Sequence, residues 1–206
     1  MRITDLQYQR NKKRINVFID NEFSFGIDEE LKFKYSIHID DEISPEFIED
    51  IIRAEEQLKS NNQALRLLSF RQRSEKEIEE ALRRKGYNEE NILHTIDYLK
   101  RNKYIDDEYF TKSFIGDKQN LNGYGSQRIK YELIKKGISK ELIENYLLDN
   151  PDEEYELALK IASKKLKSYR EEDKNSIWNK LGGYLQRKGY SYEIVSKVLR
   201  TLLEDR

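Results

Sequence analysis

"LRRKGY" runs from Leu82 to Tyr87, and its pattern returns as "LIKKGI" from Leu133 to Ile138 and as "LQRKGY" from Leu185 to Tyr190. The glycines stand at 86, 137 and 189, so the spacings are 51 and 52 residues. Each copy follows a run with helical apolar periodicity, and its leucine closes the apolar stripe. The basic residues fill the last turn, where they complement the negative end of the helix dipole for about 0.3–1 kcal/mol each. The glycine then takes the left-handed C′ position that a side chain resists. An apolar residue follows (Tyr87, Ile138 or Tyr190), then an N-cap (Asn88, Ser139 or Ser191). Four positions past each cap stands Ile92, Ile143 or Val195, which completes a hydrophobic staple. The hexapeptide is a helix–turn–helix joint, used three times.

Each joint is preceded by another helix, which makes three helices per unit. In the first unit these are expected at about 61–70, 75–85 and 89–102, with Ser74 and Glu77 as a capping box and Ile92, Ile96 and Leu99 as the last apolar stripe. The second unit opens at "IDDEYF" with Asp106 as N-cap and continues through "NLNGYGSQRI" to about Leu148. The third opens at "NPDEE", with Asn150 as cap and Pro151 at the first helical position, and ends near Leu203. Such units cannot bury their apolar faces alone. Stacked end to end, they are expected to form an elongated, curved array stabilised by nearest neighbours.

Ahead of the repeats the periodicity changes from helix to strand. "INVFID" puts Ile15, Val17 and Ile19 on one face, and "EFSFGID" does the same with Phe23, Phe25 and Ile27. Asp20 and Asn21 suit a tight hairpin turn between them. "ITDLQYQ" (Ile3, Leu6, Tyr8) supplies a third strand, with "RNKKR" as its turn. A lone hairpin is marginal in water, so this small sheet must pack on something. At "ISPEFI" a helix begins, with Ser44 as cap, Pro45 next and an Ile43–Ile48 staple, running to about Leu58. The expected fold is mainly α, three tandem three-helix repeats behind a small N-terminal antiparallel sheet. Its parts are 1–43 (sheet), 44–60 (linking helix), 61–104, 105–149 and 150–206 (repeats).

Composition bounds the function. With 37% charged residues, two prolines and nine glycines in 206, the chain is globular and helix-leaning. There is no signal-peptide core, no apolar run of the ~20 residues that spans a bilayer, and no cysteine, which suits the cytoplasm. The net charge of −1 is unevenly laid out: −5 over residues 1–60 and +4 over 109–206. That is too mild for affinity built on neutralising many phosphates.

No constellation of reactive groups suggests an enzyme. "GYGS" around Gly123 lacks the lysine of a phosphate loop, and "KLGGYL" at Gly182 reads as close packing within a helix. His38 and His94 have no partner at ligand spacing, so no metal or cofactor is expected. Asp106, Asp107 and Glu108 could hold Mg²⁺ in a nuclease, but a capped, acidic helix start explains them better. The basic residues at the joints exceed what helix ends require: Arg83, Arg84 and Lys85; Lys135 and Lys136; Arg187 and Lys188. Arg71, Arg73, Arg128 and Lys130 add charge nearby, and Tyr87, Tyr124, Tyr131, Tyr184 and Tyr190 interleave with them. Such a strip suits single-stranded nucleic acid or a protein groove, and equally a solvated face; the spacing leaves both open.

"ALRLLSFRQRSEKEIEEALRRKGY" (64–87), "YIDDEYFTKSFI" (104–115), "GYGSQRIKYELIKKGISKELI" (123–143) and "LQRKGYSYEIVSKVL" (185–199), in this order, resemble the bacterial regulatory protein family RecX. The β-rich N-terminus is similar to that of the family's longer members. The resemblance implies a modulator of RecA, the recombinase that coats single-stranded DNA. It implies tandem three-helix repeats lying along the groove of the RecA filament, hindering its growth, ATP hydrolysis, strand exchange and co-protease activity, with no enzymatic activity of their own. The implied partner is the RecA nucleoprotein filament, met by a cytoplasmic monomer; direct binding of single-stranded DNA is the alternative.

Overall fold

The computed structural model describes residues 1–10, 13–147, 150–169 and 173–204. Strands β1 (Ile3–Tyr8), β2 (Arg14–Ile19) and β3 (Glu22–Asp28) form an antiparallel meander in chain order. Asp20 and Asn21 take φ of 49° and 70° in the tight turn between β2 and β3. Alternation buries Ile15, Val17, Ile19 and Ile27. The expected inward face of β3 fails at Phe23, which is 60% exposed. A register shift pairs Val17 with Phe25 but Phe18 with Phe23, so the extra residue Ser24 turns Phe23 outward. There it meets Phe18 edge-on, with ring centroids 5.9 Å apart. The turn expected across "RNKKR" includes Asn11 and Lys12, which lie outside the described residues.

Helix α1 (Glu29–Lys34), capped by Asp28, was not legible as a periodic pattern because it spans under two turns. Helix α2 (Pro45–Phe70) starts as expected, with Ser44 accepting from Phe47 N–H. It runs on for 26 residues where two helices, 44–58 and 61–70, were expected. The polar residues in the middle do not end it, because they bond sideways to Thr95. Ser60 Oγ lies 2.8 Å from Thr95 Oγ1, which donates to Asn61 Oδ1 at 2.8 Å. With those side chains occupied and no glycine or proline nearby, nothing competes with the helix ladder.

The repeats follow: α3 (Glu75–Arg84) and α4 (Glu89–Arg101); α5 (Asp107–Asn120), α6 (Ser126–Lys135) and α7 (Lys140–Tyr146); α8 (Pro151–Leu166), α9 (Lys174–Lys188) and α10 (Tyr192–Leu203). Ser74 and Glu77 form the capping box, each side chain bonding the other's N–H at 3.3 Å. Asp106, Asn150 and Pro151 stand at the helix starts assigned to them. The end of the second unit at Leu148 lies outside the described residues.

The chain divides into two compact units. One comprises residues 1–71 and 78–104; the other comprises 72–77 and 105–206. In the first, Ile3, Ile15, Val17, Ile27, Leu31, Ile37 and Ile51 make a core under the sheet. Ile92, Ile96 and Leu99 are buried as the stripe of α4. The second unit holds two cores. One gathers Phe110, Ile115, Ile129, Leu133, Ile138 and Ile143; the other gathers Leu181, Leu185, Tyr190, Val195 and Leu199 with their neighbours. A Cβ at Gly182 would lie 3.2 Å from Leu199, so α9 and α10 pack closely there. Among the described residues, no helix is long and apolar enough to cross a membrane.

Candidate functional site

The three joint glycines take φ of 88°, 82° and 94° at positions 86, 137 and 189. Behind them Asn88, Ser139 and Ser191 each accept from the N–H three residues on, at 2.7, 3.2 and 3.3 Å. The joints are thus built as their spacing demands. In the second unit they also do something that the spacing does not show. The joint of one repeat docks on the start of the middle helix of the repeat before it.

At the second joint, Lys136 C=O accepts from Ser74 Oγ at 2.7 Å and Lys136 Nζ donates to Glu77 at 2.7 Å. Gly137 lies so close to Lys76 that a Cβ would meet its side chain at 2.6 Å. At the third joint, Lys188 C=O accepts from Gly125 N–H at 2.9 Å and Gly189 C=O from Gln127 N–H at 3.2 Å. A Cβ at Gly189 would fall 2.6 Å from the backbone nitrogen of Arg128. Around Gly86, by contrast, a Cβ would meet nothing within 4 Å.

The basic residues singled out by sequence therefore separate into groups. Arg83 makes a two-pronged pair with Glu89, at 2.7 and 2.8 Å, which raises the arginine's pKa and lowers the glutamate's. Arg84 and Lys85 are exposed, Arg84 reaching Glu80 only at 3.9 Å. Lys130, Lys135 and Arg187 are exposed as well; Arg71 is exposed and Arg73 half-buried. Lys136, Arg128 and Lys188 are half-buried and serve the contacts between repeats.

The densest basic–aromatic grouping surrounds Tyr124. Its ring has Arg128 at 3.8 Å, Lys188 at 5.1 Å and Lys118 at 5.2 Å from its centroid. Arg128 donates to Arg187 C=O at 2.9 Å, and Lys188 Nζ to Asn122 C=O at 2.6 Å. Glu132 sits between Lys118 (2.9 Å) and Arg128 (3.2 Å); burial would raise its pKa, but those two cations outweigh that and hold it low. Desolvation, with the Arg128 charge second, lowers the pKa of Lys188. Lys118 and Glu132 belong to this cluster and were missed in the sequence. Arg128–Glu132 at i,i+4 was a local signal; Lys118 had none. Tyr184 lies 5.6 Å from Lys188, and Tyr190, buried, donates to Gly123 C=O at 3.3 Å.

The acidic run is absorbed locally. Asp106 accepts from the N–H of Glu108 and Tyr109 at 2.9 Å, and Asp107 from Glu75 N–H at 2.9 Å. Glu108 accepts from Lys112 at 2.8 Å and from the Tyr146 hydroxyl, which lowers its pKa. Among the described residues, no group of three His, Asp or Glu side chains is placed to hold a metal ion.

Sequence models of the RecX N-terminal domain and of the first, second and third RecX three-helix domains match residues 1–44, 62–99, 106–147 and 152–199. The chain belongs to the RecX family. The regulatory protein RecX of Clostridium beijerinckii is 38% identical over 206 residues, covering 98% of this chain and 96% of that one. That of Clostridium tetani is 37% identical, with 98% and 94% covered. A crystal structure of regulatory protein RecX superposes with a TM-score of 0.75 at 25% identity, covering 100% of this chain and 99% of that one. RecX from Lactobacillus salivarius gives 0.63 at 30% identity, over 72% of this chain and 97% of that one. The first RecX three-helix domain begins at residue 62, inside α2, so the long helix serves both the sheet-bearing domain and the first repeat.

Proposed function

We propose that this RecX-family chain binds the RecA–single-stranded DNA filament and restrains its growth, ATP hydrolysis, strand exchange and co-protease activity in recombination and SOS repair. It acts as a cytoplasmic monomer, without cofactor or chemistry of its own. The observation that carries this reading is the match of all four RecX domains, in order, along the chain. Binding is multivalent: successive repeats each make weak contacts that add because they are joined. Contacts are assigned to Arg71, Arg73, Arg83, Arg84, Lys85, Lys130, Lys135 and Arg187. Arg128, Lys136 and Lys188 hold the repeats that present them.

The test is ATP hydrolysis by RecA filaments pre-formed on single-stranded DNA. Substoichiometric protein is expected to suppress it markedly. Hydrolysis unchanged at one copy per RecA overturns the proposal. The exposed Tyr131, with Lys135 4.5 Å from its ring centroid, favours a second reading, direct binding of single-stranded DNA by stacking and charge. Under it, affinity for DNA without RecA would fall steeply with salt.

A narrower prediction concerns the first joint. Arg84→Glu together with Lys85→Glu is expected to weaken filament binding by about three- to tenfold at low salt, with the difference shrinking as salt rises. The melting temperature should stay within about 2 °C, since exposed charges contribute little to stability. Unchanged binding would assign both residues to a solvated face.

A further inference from the structure

Helix α6 is one of three built on the same plan, and its outer face differs from the other two. Six and three positions before the joint glycine it carries Tyr131 and Ile134, which are 57% and 53% exposed. The first repeat has Glu80 and Arg83 at those positions, and the third has Gly183 and Gln186. The repeat therefore folds without apolar residues there, so packing does not explain them. At 100° per residue, Lys130, Ile134, Tyr131 and Lys135 form one continuous arc, opposite the buried Ile129 and Leu133. Lys135 Nζ lies 4.5 Å from the Tyr131 centroid. Glu132, the helix's one carboxylate, is turned aside to Lys118 and Arg128. The outer arc is thus an apolar pair between two lysines, with no acidic residue of its own.

We infer that this arc of α6 docks on the protein part of the filament rather than its DNA, at an apolar pocket edged by carboxylates; the inference rests on the filament reading above. Tyr131 alone would suit a nucleobase, since any base can stack on an aromatic ring. Ile134 has no ring to stack and gains only where apolar surface covers it, as at the dry centre of a protein–protein contact. The flanking lysines then match acidic groups at the rim and favour correct encounter over wrong partners.

The test transplants the first repeat's residues: Tyr131→Glu with Ile134→Arg. This leaves net charge unchanged and uses side chains already tolerated on the same helix plan. Ile134→Ser serves as a second variant. Binding is measured to RecA filaments held with a slowly hydrolysed ATP analogue on labelled single-stranded DNA, and to the same DNA alone. The double variant is expected to lose about tenfold or more in filament affinity. Ile134→Ser is expected to lose less, with DNA binding and melting temperature unchanged for both. Filament affinity equal to wild type overturns the inference while leaving the filament reading intact. A parallel loss on DNA alone assigns the face to nucleic acid and also overturns it. Failure of the wild-type protein to bind filaments overturns the filament reading, and this inference falls with it.

Discussion

Gly189→Ala is expected to destabilise the second unit by about 2–5 kcal/mol, whereas Gly86→Ala costs only about 1–2 kcal/mol. Both residues sit at φ near 90°, so both pay the same penalty for an L side chain in the left-handed region, about 1–2 kcal/mol. Only at Gly189 does the new methyl collide. It would lie 2.3 Å from Arg128 Cβ and 2.6 Å from its backbone nitrogen, atoms that no rotamer change can move. Overpacking of that kind adds about 1–3 kcal/mol, and separating the surfaces instead breaks the bonds from Gly125 and Gln127 N–H to Lys188 and Gly189 C=O. Gly137→Ala should fall between, because its clash with Lys76 Cβ and Cδ at 2.6 Å is less deep than the 2.3 Å one at Gly189, and Lys76 Cβ, Cδ and Cγ are all nearer than any backbone atom. Trp178, the single tryptophan, lies in α9 and reports on the third repeat by fluorescence during urea unfolding, while amide exchange in α4 reports the loss at Gly86, which lies in the other unit. Equal losses at 86 and 189 would show that the glycines serve only their own turns and that the docking of repeats contributes nothing.

That contrast marks the limit of what the sequence discloses. A joint is a local object: a basic last turn, a left-handed glycine, a cap and a staple lie within a dozen residues, so their spacing predicts them. What a joint touches is not local. Lys136 looks like a residue tuned to a helix end, yet its ammonium is held by Glu77, 59 positions earlier. Lys188 likewise anchors to Asn122 C=O, 66 positions away. The candidate strip was legible as a list of cations, but its division into exposed residues and inter-repeat residues was not. Phe23 fails for a related reason. Strict alternation assumes an unbroken ladder, and one inserted residue at a bulge reverses the side chains on its far side, here Phe23 ahead of Ser24. The third repeat carries a further departure: α9 has 15 residues where α3 and α6 have 10. Counting back from the joint glycine, Ile177 replaces Ser74 and Gly125, and it lies buried within the helix rather than at a start.

Glu55→Ala is expected to cost the first unit about 3 kcal/mol. The carboxylate is 6% exposed and reaches three groups. Arg14 on β2 donates to it at 2.6 Å, Asp28 N–H at the end of β3 donates at 2.8 Å, and Lys59 lies at 3.3 Å one turn along α2. It thereby ties the central strand β2 and the edge strand β3 to the long helix. Its loss leaves the Arg14 guanidinium, 28% exposed, with Gly26 C=O at 3.1 Å and no counter-charge, and it strips the acceptor from a backbone N–H where the chain turns from β3 into α1. Breaking a buried pair from one side costs about 3–5 kcal/mol; Arg14 keeps some contact with water, which sets the lower end. Glu55→Gln keeps an acceptor for Asp28 N–H but not the charge, and should lose about half as much. Amide exchange in β2 and β3 should quicken in both variants, more in the alanine one. If Glu55→Ala stays within about 0.5 kcal/mol of wild type, the sheet is held to α2 by its apolar core alone, through Ile15, Val17, Ile27 and Ile51, and the ion pair is there for register rather than strength.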